Sequence, residues 1–202
     1  MELPDHRLTP EEFLELEAKS EERLEYINGF AVAQNLPSDN HAAISLNLTG
    51  WLNPIVKAKG CVLRPGTAKV ITRNGDRMIP DLVVTCDERD LTNLRANFGK
   101  DEPTFCYPWL IIEILSPSTA EYDRTDKFDA YRIIEELTHY VLINSERRDM
   151  RVFERLPDGS FKSRAPVQRL ILPTLGEHSM SIDEVYMDTH IRRLEEVRSQ
   201  RI

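Results

Sequence analysis

The run Trp109-Leu110-Ile111-Ile112-Glu113-Ile114-Leu115 places one carboxylate inside an otherwise apolar segment. A continuous apolar run of this kind is a strand covered on both faces of a sheet. It therefore commits the chain to a layered fold in which helices shield that sheet. An ionised carboxylate in such a strand costs on the order of several kcal/mol unless a partner offsets it. Two readings of Glu113 stay open at this point: a buried structural salt bridge, or a metal ligand.

The segments around this strand supply the rest of the layer pattern. Thr9-Pro10-Glu11-Glu12 is a capping box with proline at the first helical position, which predicts a helix of about ten residues. Asn28-Gly29 sits between two short β-prone runs and predicts a hairpin with a type I′ turn. Residues 38–59 carry Ala42, Ala43, Leu46, Leu52, Ile55 and Val56 at roughly helical spacing, with Gly60 as the stop and Pro54 as a kink or split. Strands are expected over Cys61–Thr72, Met78–Thr85 and Trp109–Leu115, with a polar surface loop between Cys86 and Pro108. A second helix is expected from Ser116 to about Leu137, followed by a strand at His139–Asn144. Arg151–Leu156, Ser160–Lys162 and Arg169–Leu172 read as antiparallel strands, and Ile182–Met187 and Ile191–Gln200 as short terminal helices. With no repeat and no Gly/Ser linker, the chain reads as one domain over 1–202: helix and hairpin over about 9–36, core over about 38–144, and a C-terminal β extension with a helical tail over about 145–202.

Four further residues stand out. Asp81 opens the apolar stretch Leu82-Val83-Val84 directly after Pro80. Alone it reads as a turn residue; beside Glu113 on a neighbouring strand it forms a carboxylate pair that repels itself unless a cation lies between. Hard oxygen ligands of this kind suit Mg²⁺ or Mn²⁺. Lys127 precedes Ala130, Tyr131, Ile134 and Leu137, an apolar stripe, and so extends the inward face of its helix. It is either a snorkelling side chain paired with Asp123 four residues earlier, or an ammonium beside the carboxylates. Glu25 is either a solvated hairpin carboxylate or a further acid of the site. His41, near a helix start, is either a cap or packing residue or a neighbour of the site.

Charge limits the partners. The chain holds 34 acids against 26 bases, net −8, and nine of the acids against three of the bases fall in residues 1–25. That segment is net −6, which leaves the remainder at −2. The balance excludes a protein that coats nucleic acid nonspecifically. One divalent ion at Asp81 and Glu113 would bring the remainder to about zero, with the acidic N-terminal segment held away from a phosphate backbone. Arg64, Lys69, Arg73 and Arg77 form a basic strip beside Asp81, and residues 145–169 hold seven bases against four acids, a second candidate face or a solvated strand edge. No stretch approaches the about 20 apolar residues of a membrane span, and the N-terminus lacks a signal-peptide pattern. Three cysteines, Cys61, Cys86 and Cys106, without a C-x-x-C, predict no disulfide framework and no zinc knuckle, and a reducing cytoplasm.

The combination LEYINGFAVA, His41 after a short loop, MIPDLVV, IIEILSPST, DRTDKFDAY and HYVLIN resembles the Uma2 family of restriction-endonuclease-like proteins, over about Leu8 to Leu175. The resemblance implies an α/β, restriction-endonuclease-like αβββαβ core with a mixed sheet, to which the N-terminal helix, the hairpin and the C-terminal strands are additions. It also implies a Mg²⁺-dependent (or Mn²⁺-dependent) endonuclease acting on DNA, commonly as a homodimer. By position, Asp81 and Glu113 match the metal-binding acids, with a carbonyl near Ile114 as a further ligand, and Glu25 matches the N-terminal acid. Leu115 stands where the E-x-K motif would put its lysine, so Lys127 matches a lysine moved into the next helix. Asp123 and Tyr131 fall at the family's spacing, and His41 at the position of a family histidine. The family often has Asp where this chain has Asn28, a turn variation. The competing expectation is a noncatalytic DNA-binding or assembly module that keeps the nuclease fold.

Overall fold

The computed structural model describes residues 3–99, 102–117 and 119–191. Helix α1 (Pro10–Glu17) starts on the capping box read from sequence: the Glu12 N–H donates to the Thr9 hydroxyl and the Thr9 N–H donates to the Glu12 carboxylate. Strands β1 (Leu24–Ile27) and β2 (Phe30–Ala33) form the hairpin, with Asn28 at φ 51° and Gly29 at φ 88°. Both values fall in the left-handed region that a type I′ turn requires.

Helix α2 (Asp39–Ala58) runs unbroken through Pro54, which corrects the expected split. Pro54 and Gly50 lie on the exposed side of the helix, so the carbonyl that loses its intrahelical donor faces water. The opposite side buries Ile44, Leu48, Leu52 and Val56, one stripe at i, i+4 spacing.

The two expected strands between residues 61 and 85 each divide. Strands β3 (Val62–Pro65) and β6 (Leu82–Thr85) enter one sheet, while β4 (Lys69–Ile71) and β5 (Arg77–Met78) enter another. Helix α3 (Glu88–Ala96) and strand β7 (Thr104–Phe105) occupy the stretch expected to be a polar loop. Asp87 caps α3, and buried Leu91 anchors it, a signal that sequence reading passed over because the segment is so polar.

Strand β8 (Leu110–Leu115) is buried at every residue, and β9 (His139–Asn144) runs parallel to it. The helix expected between them is two short ones, α4 (Ala120–Arg124) and α5 (Asp126–Tyr131), broken at Thr125. The chain then continues through β10 (Met150–Arg155), β11 (Phe161–Arg164), β12 (Arg169–Ile171), a 3₁₀ turn at Pro173–Leu175, β13 (Ser179–Ser181) and helix α6 (Ile182–Val185). The expected helix at Ile191–Gln200 lies almost wholly outside the described residues.

Among the described residues the largest sheet has six strands in the order β11-β10-β9-β8-β6-β3. Its β8–β9 pair is parallel and its other pairs are antiparallel. Reading α2, β3, β6, β8, α4/α5 and β9 in order recovers the αβββαβ core within a mixed sheet. The sheet is covered on both faces: Ile112 and Ile114 join the cluster under α2, while Ile111 and Leu115 join the cluster with Tyr131 and Tyr140 under α5. The second sheet, in the order β2-β1-β5-β4-β7, carries the N-terminal hairpin. None of the described helices is long and apolar enough to cross a membrane.

One cysteine expectation is overturned. Cys61 and Cys86 form a disulfide with Cα atoms 4.3 Å apart, and Cys106 is free. The β3–β6 register pairs Val62 with Thr85, so the next step outward sets these two cysteines opposite each other. A cross-strand pairing of this kind leaves no signature in cysteine count or local spacing.

Arg155 closes the underside of the core. Its guanidinium donates to the carbonyls of Leu137 (2.7 Å), Arg132 (2.6 Å), Ile134 (2.7 Å) and Gly159 (3.1 Å) and stacks over Phe161. The carbonyls where the chain leaves α5 are thereby satisfied without a continuing helix. Arg155→Met is expected to destabilise the fold by about 2–4 kcal/mol, because part-buried carbonyls lose their donors. Urea unfolding followed by circular dichroism measures it.

Candidate active site

The antiparallel register of β6 and β8 pairs Leu82 with Ile112. Asp81, one step before β6, therefore stands opposite Glu113. The two acids clamp one another's backbone: the Asp81 N–H donates to Glu113 Oε2 (3.3 Å) and the Ile114 N–H donates to Asp81 Oδ2 (2.6 Å). Asp81 keeps a side-chain exposure of 25%, whereas Glu113 is 2% exposed. His41, on the first turn of α2, brings Nε2 to 3.0 Å from Asp81 Oδ1.

Lys127 resolves the choice between snorkelling and burial. Its ammonium is 5% exposed and lies 2.9 Å from Glu113 Oε1, 3.1 Å from Glu25 Oε1 and 3.5 Å from Asp123 Oδ1. Both sequence readings of its partner hold at once. The break at Thr125 separates Asp123 on α4 from Lys127 on α5. Tyr131, one turn further along α5, donates its hydroxyl to Glu113 Oε1 (3.2 Å).

Glu25 is buried rather than solvated, at 2% exposure. Its neighbours Leu24 and Tyr26 face the small cluster under α1, and alternation turns Glu25 the other way. It accepts the Ile79 N–H at Oε1 (2.6 Å), a Gln34 amide N–H at Oε1 (3.4 Å) and the Tyr122 hydroxyl at Oε2 (3.4 Å). Gln34 and Tyr122 escaped sequence reading. Gln34 follows a hairpin strand with no pattern to mark it, and only the adjacency of Tyr122 to Asp123 pointed towards it.

Burial pushes the Glu113 carboxyl well above the ordinary glutamate range, against the pull of Lys127; Asp81, Asp123 and Glu25 push the same way as burial. Burial also raises Asp123, opposed by Lys127 and a hydrogen bond from Thr119. For Lys127 burial favours the neutral amine, but Glu113 and Glu25 outweigh it and hold the group well above the usual lysine value. The lysine is therefore a fixed positive charge at neutral pH.

These residues line a cleft of about 900 Å³. One wall is the α2 face of His41, Ser45, Leu46 and Thr49, and another is formed by Ser116, Thr119 and Tyr122. Glu21, Glu22 and Arg23 line it as well, so part of the acidic N-terminal segment borders the cleft instead of standing away from it. The predicted basic strip is dispersed. Lys69 pairs with Glu17 (2.9 Å) and Glu102 (2.8 Å), Arg73 pairs with Glu135 (2.8 Å), the Arg77 Nε is buried, and Arg64 donates to the Leu63 carbonyl (3.0 Å). In the 145–169 stretch, Arg147 pairs with Asp149, Arg148 with Asp183, and Arg164 with Glu154.

The donor set suits a hard cation that keeps part of its hydration shell. Among the described residues no group of three or more His, Cys, Asp or Glu side chains is placed to hold a metal ion. Two opposed carboxylates do meet the needs of Mg²⁺, which takes one or two carboxylates and fills its remaining positions with water and substrate oxygens. Asp81 and Glu113 are the residues that would hold it.

Comparison with known proteins relates the chain as a whole to others. A model of the Uma2 family, described as "Putative restriction endonuclease", matches residues 10–182. A protein of Synechocystis sp. (strain ATCC 27184 / PCC 6803 / Kazusa), named "Uncharacterized protein slr1290", is 31% identical over 186 residues, covering 91% of this chain and 93% of its own length. A second protein of that organism, "Uncharacterized protein sll1609", is 28% identical over 138 residues, covering 68% of this chain and 75% of its own. Among solved structures, one described as a putative nuclease belonging to DUF820 from Anabaena variabilis ATCC 29413 superposes with a TM-score of 0.71 at 21% identity, covering 89% of this chain and 97% of that one. That likeness shows a shared fold.

The buried network generates a stability prediction. Lys127→Met leaves Glu25, Glu113 and Asp123 without their cation, and the loss at pH 7 is expected to be about 3–5 kcal/mol. Without Lys127 the folded-state pKa of Glu113 rises further above its unfolded value of 4.5. The folded state then binds more protons than the unfolded state at pH values above 4.5, so the deficit shrinks as pH falls towards that value. Adding Glu113→Gln to Lys127→Met is expected to recover part of the loss. Urea titrations across this pH range check both expectations.

Proposed function

Because the chain belongs to the Uma2 family, we propose that it is a nuclease that hydrolyses phosphodiester bonds of DNA with Mg²⁺ or Mn²⁺ held by Asp81 and Glu113. The observation that carries this reading is the pair of opposed carboxylates at the head of β6 and within β8, with a buried ammonium 2.9 Å from one of them. When bound, such an ion polarises the scissile phosphate and lowers the pKa of a coordinated water. The chain's own residues set the stage for that chemistry. Backbone N–H groups at Asp81 and Ile114 hold the two carboxylates in fixed orientations. His41 fixes the other oxygen of Asp81. Lys127, permanently charged, orients the attacking water and offsets the charge that develops on the phosphate; it does not act as the base. Glu25, Asp123 and Tyr131 hold Lys127 and Glu113 in place.

The reading includes a homodimer and a cytoplasmic setting. It favours the enzyme over a noncatalytic module, since a pure binder gains nothing from burying three carboxylates around one lysine.

Asp81→Asn and Glu113→Gln are expected to reduce Mg²⁺-dependent DNA cleavage to background, and Lys127→Met to slow it about 10²- to 10³-fold, with circular dichroism unchanged for the first two. Calorimetric titration of Mn²⁺ is expected to show binding that Glu113→Gln removes. Undiminished cleavage by the Asp81→Asn, Glu113→Gln double variant would sink the assignment.

A further inference from the structure

A second hollow, of about 520 Å³, lies between β3, α3 and the strand β7. We infer that it receives an unpaired nucleobase from the strand whose phosphodiester lies at Asp81 and Glu113, stacked on Phe98 and read by Asn97 and Arg64. This inference rests on the nuclease reading above and gives that site its class of substrate.

The hollow has the size of a small-ligand site and the chemistry of a base pocket. Phe98 stands at its rim with 77% of its surface exposed, an aromatic face held out of the core. The Asn97 amide nitrogen donates to Asn93 O (3.1 Å) and Asn93 Oδ1 (2.7 Å), which leaves Asn97 Oδ1 without a partner among the described residues. Arg64 uses one N–H on the Leu63 carbonyl, and its remaining donors are without partners among the described residues. The hollow therefore offers a stacking face, one free acceptor and free charged donors. Base edges are read by such amides and guanidinium groups, and unpaired bases are held by stacking on aromatic side chains.

Adjacency to the proposed catalytic cleft argues for one substrate spanning both. Arg64 pairs with Val83 across β3 and β6, so it shares a sheet face with Asp81, two residues before Val83. From strand rise and spacing their Cα atoms lie about 8 Å apart. The wall between the two cavities is shared: Arg23 and Gly66 line the cleft, Glu102 lines the hollow, and Arg23 bridges Glu102 and the Gly66 carbonyl. Both cations lining the cleft, Arg23 and Lys127, already sit in ion pairs. A strand entering here gains little from phosphate contacts to side chains, and its bases must supply the grip. A fully paired duplex keeps its base faces stacked and cannot offer one to Phe98.

The test uses the full chain carrying Glu113→Gln, to prevent cleavage, and a short fluorescein-labelled single-stranded DNA read by anisotropy. Adding Phe98→Ala is expected to weaken single-strand binding about 10- to 100-fold, while Phe98→Trp retains it. A blunt duplex of the same sequence is expected to bind equally with and without Phe98→Ala. Single-strand affinity unchanged by Phe98→Ala, or a duplex weakened as much as the single strand, overturns the inference. Hydrolysis of bis(4-nitrophenyl) phosphate by the wild-type chain reports on Asp81 and Glu113 separately, because this ester carries no base. Hydrolysis together with Phe98-insensitive binding removes the base pocket and leaves the nuclease standing. Phe98-dependent strand binding without any hydrolysis keeps the pocket and removes the nuclease.

Discussion

One buried ammonium organises the molecule. Lys127 is where the N-terminal hairpin, the central sheet and the helices over it meet, through Glu25, Glu113 and Asp123. Burying a lone carboxylate or ammonium is unfavourable, and a group of this kind survives only when charges and hydrogen bonds close around it. Here closure comes from Tyr122, Tyr131 and the Ile79 N–H as well as from the ions. Removing the hairpin would take away the Glu25 carboxylate, so the N-terminal addition is part of the site's electrostatics and not an appendage to it.

Much of this was legible in the sequence because it depended on local patterns. The apolar run around Glu113, the proline before Asp81, the stripe that includes Lys127 and the Asn28-Gly29 turn each follow from period and steric preference. The break at Thr125 was not legible. The stripe continues through Ala130, Tyr131, Ile134 and Leu137, all buried as read, yet the helix stops at Tyr131. Arg155, from a strand far along the chain, satisfies the carbonyls that a longer helix would have satisfied itself. The burial of Glu25 was equally hidden, because an acid in a four-residue hairpin strand looks solvated until a second element covers it. The disulfide depended on a strand register that no local spacing reports.

Charge explains why the basic residues were harder to place than the acids. The acids of the site are buried, and burial leaves a mark in the surrounding apolar sequence. Lys69, Arg73, Arg147 and Arg148 lie among mixed-charge segments, where a base that contacts a ligand and a base that braces a loop look alike. In the fold each of the four meets an acid. The cleft is left with an acidic lining, so the proposed phosphodiester substrate would need a bound cation to approach it.

The distance along the chain between the partners of Lys127 has a consequence for synthesis. Glu25 and Lys127 are separated by about half of the sequence, and Glu113 comes late in the interval between them. While the chain emerges from a ribosome, the hairpin, α2 and the first strands are available well before the lysine that joins them. Contacts of such long range form late and slowly. The carboxylates consequently stay without their shared cation until α5 arrives, and the network cannot close before that point. A protein built this way does not assemble its carboxylate–lysine network on a chain that stops short of α5.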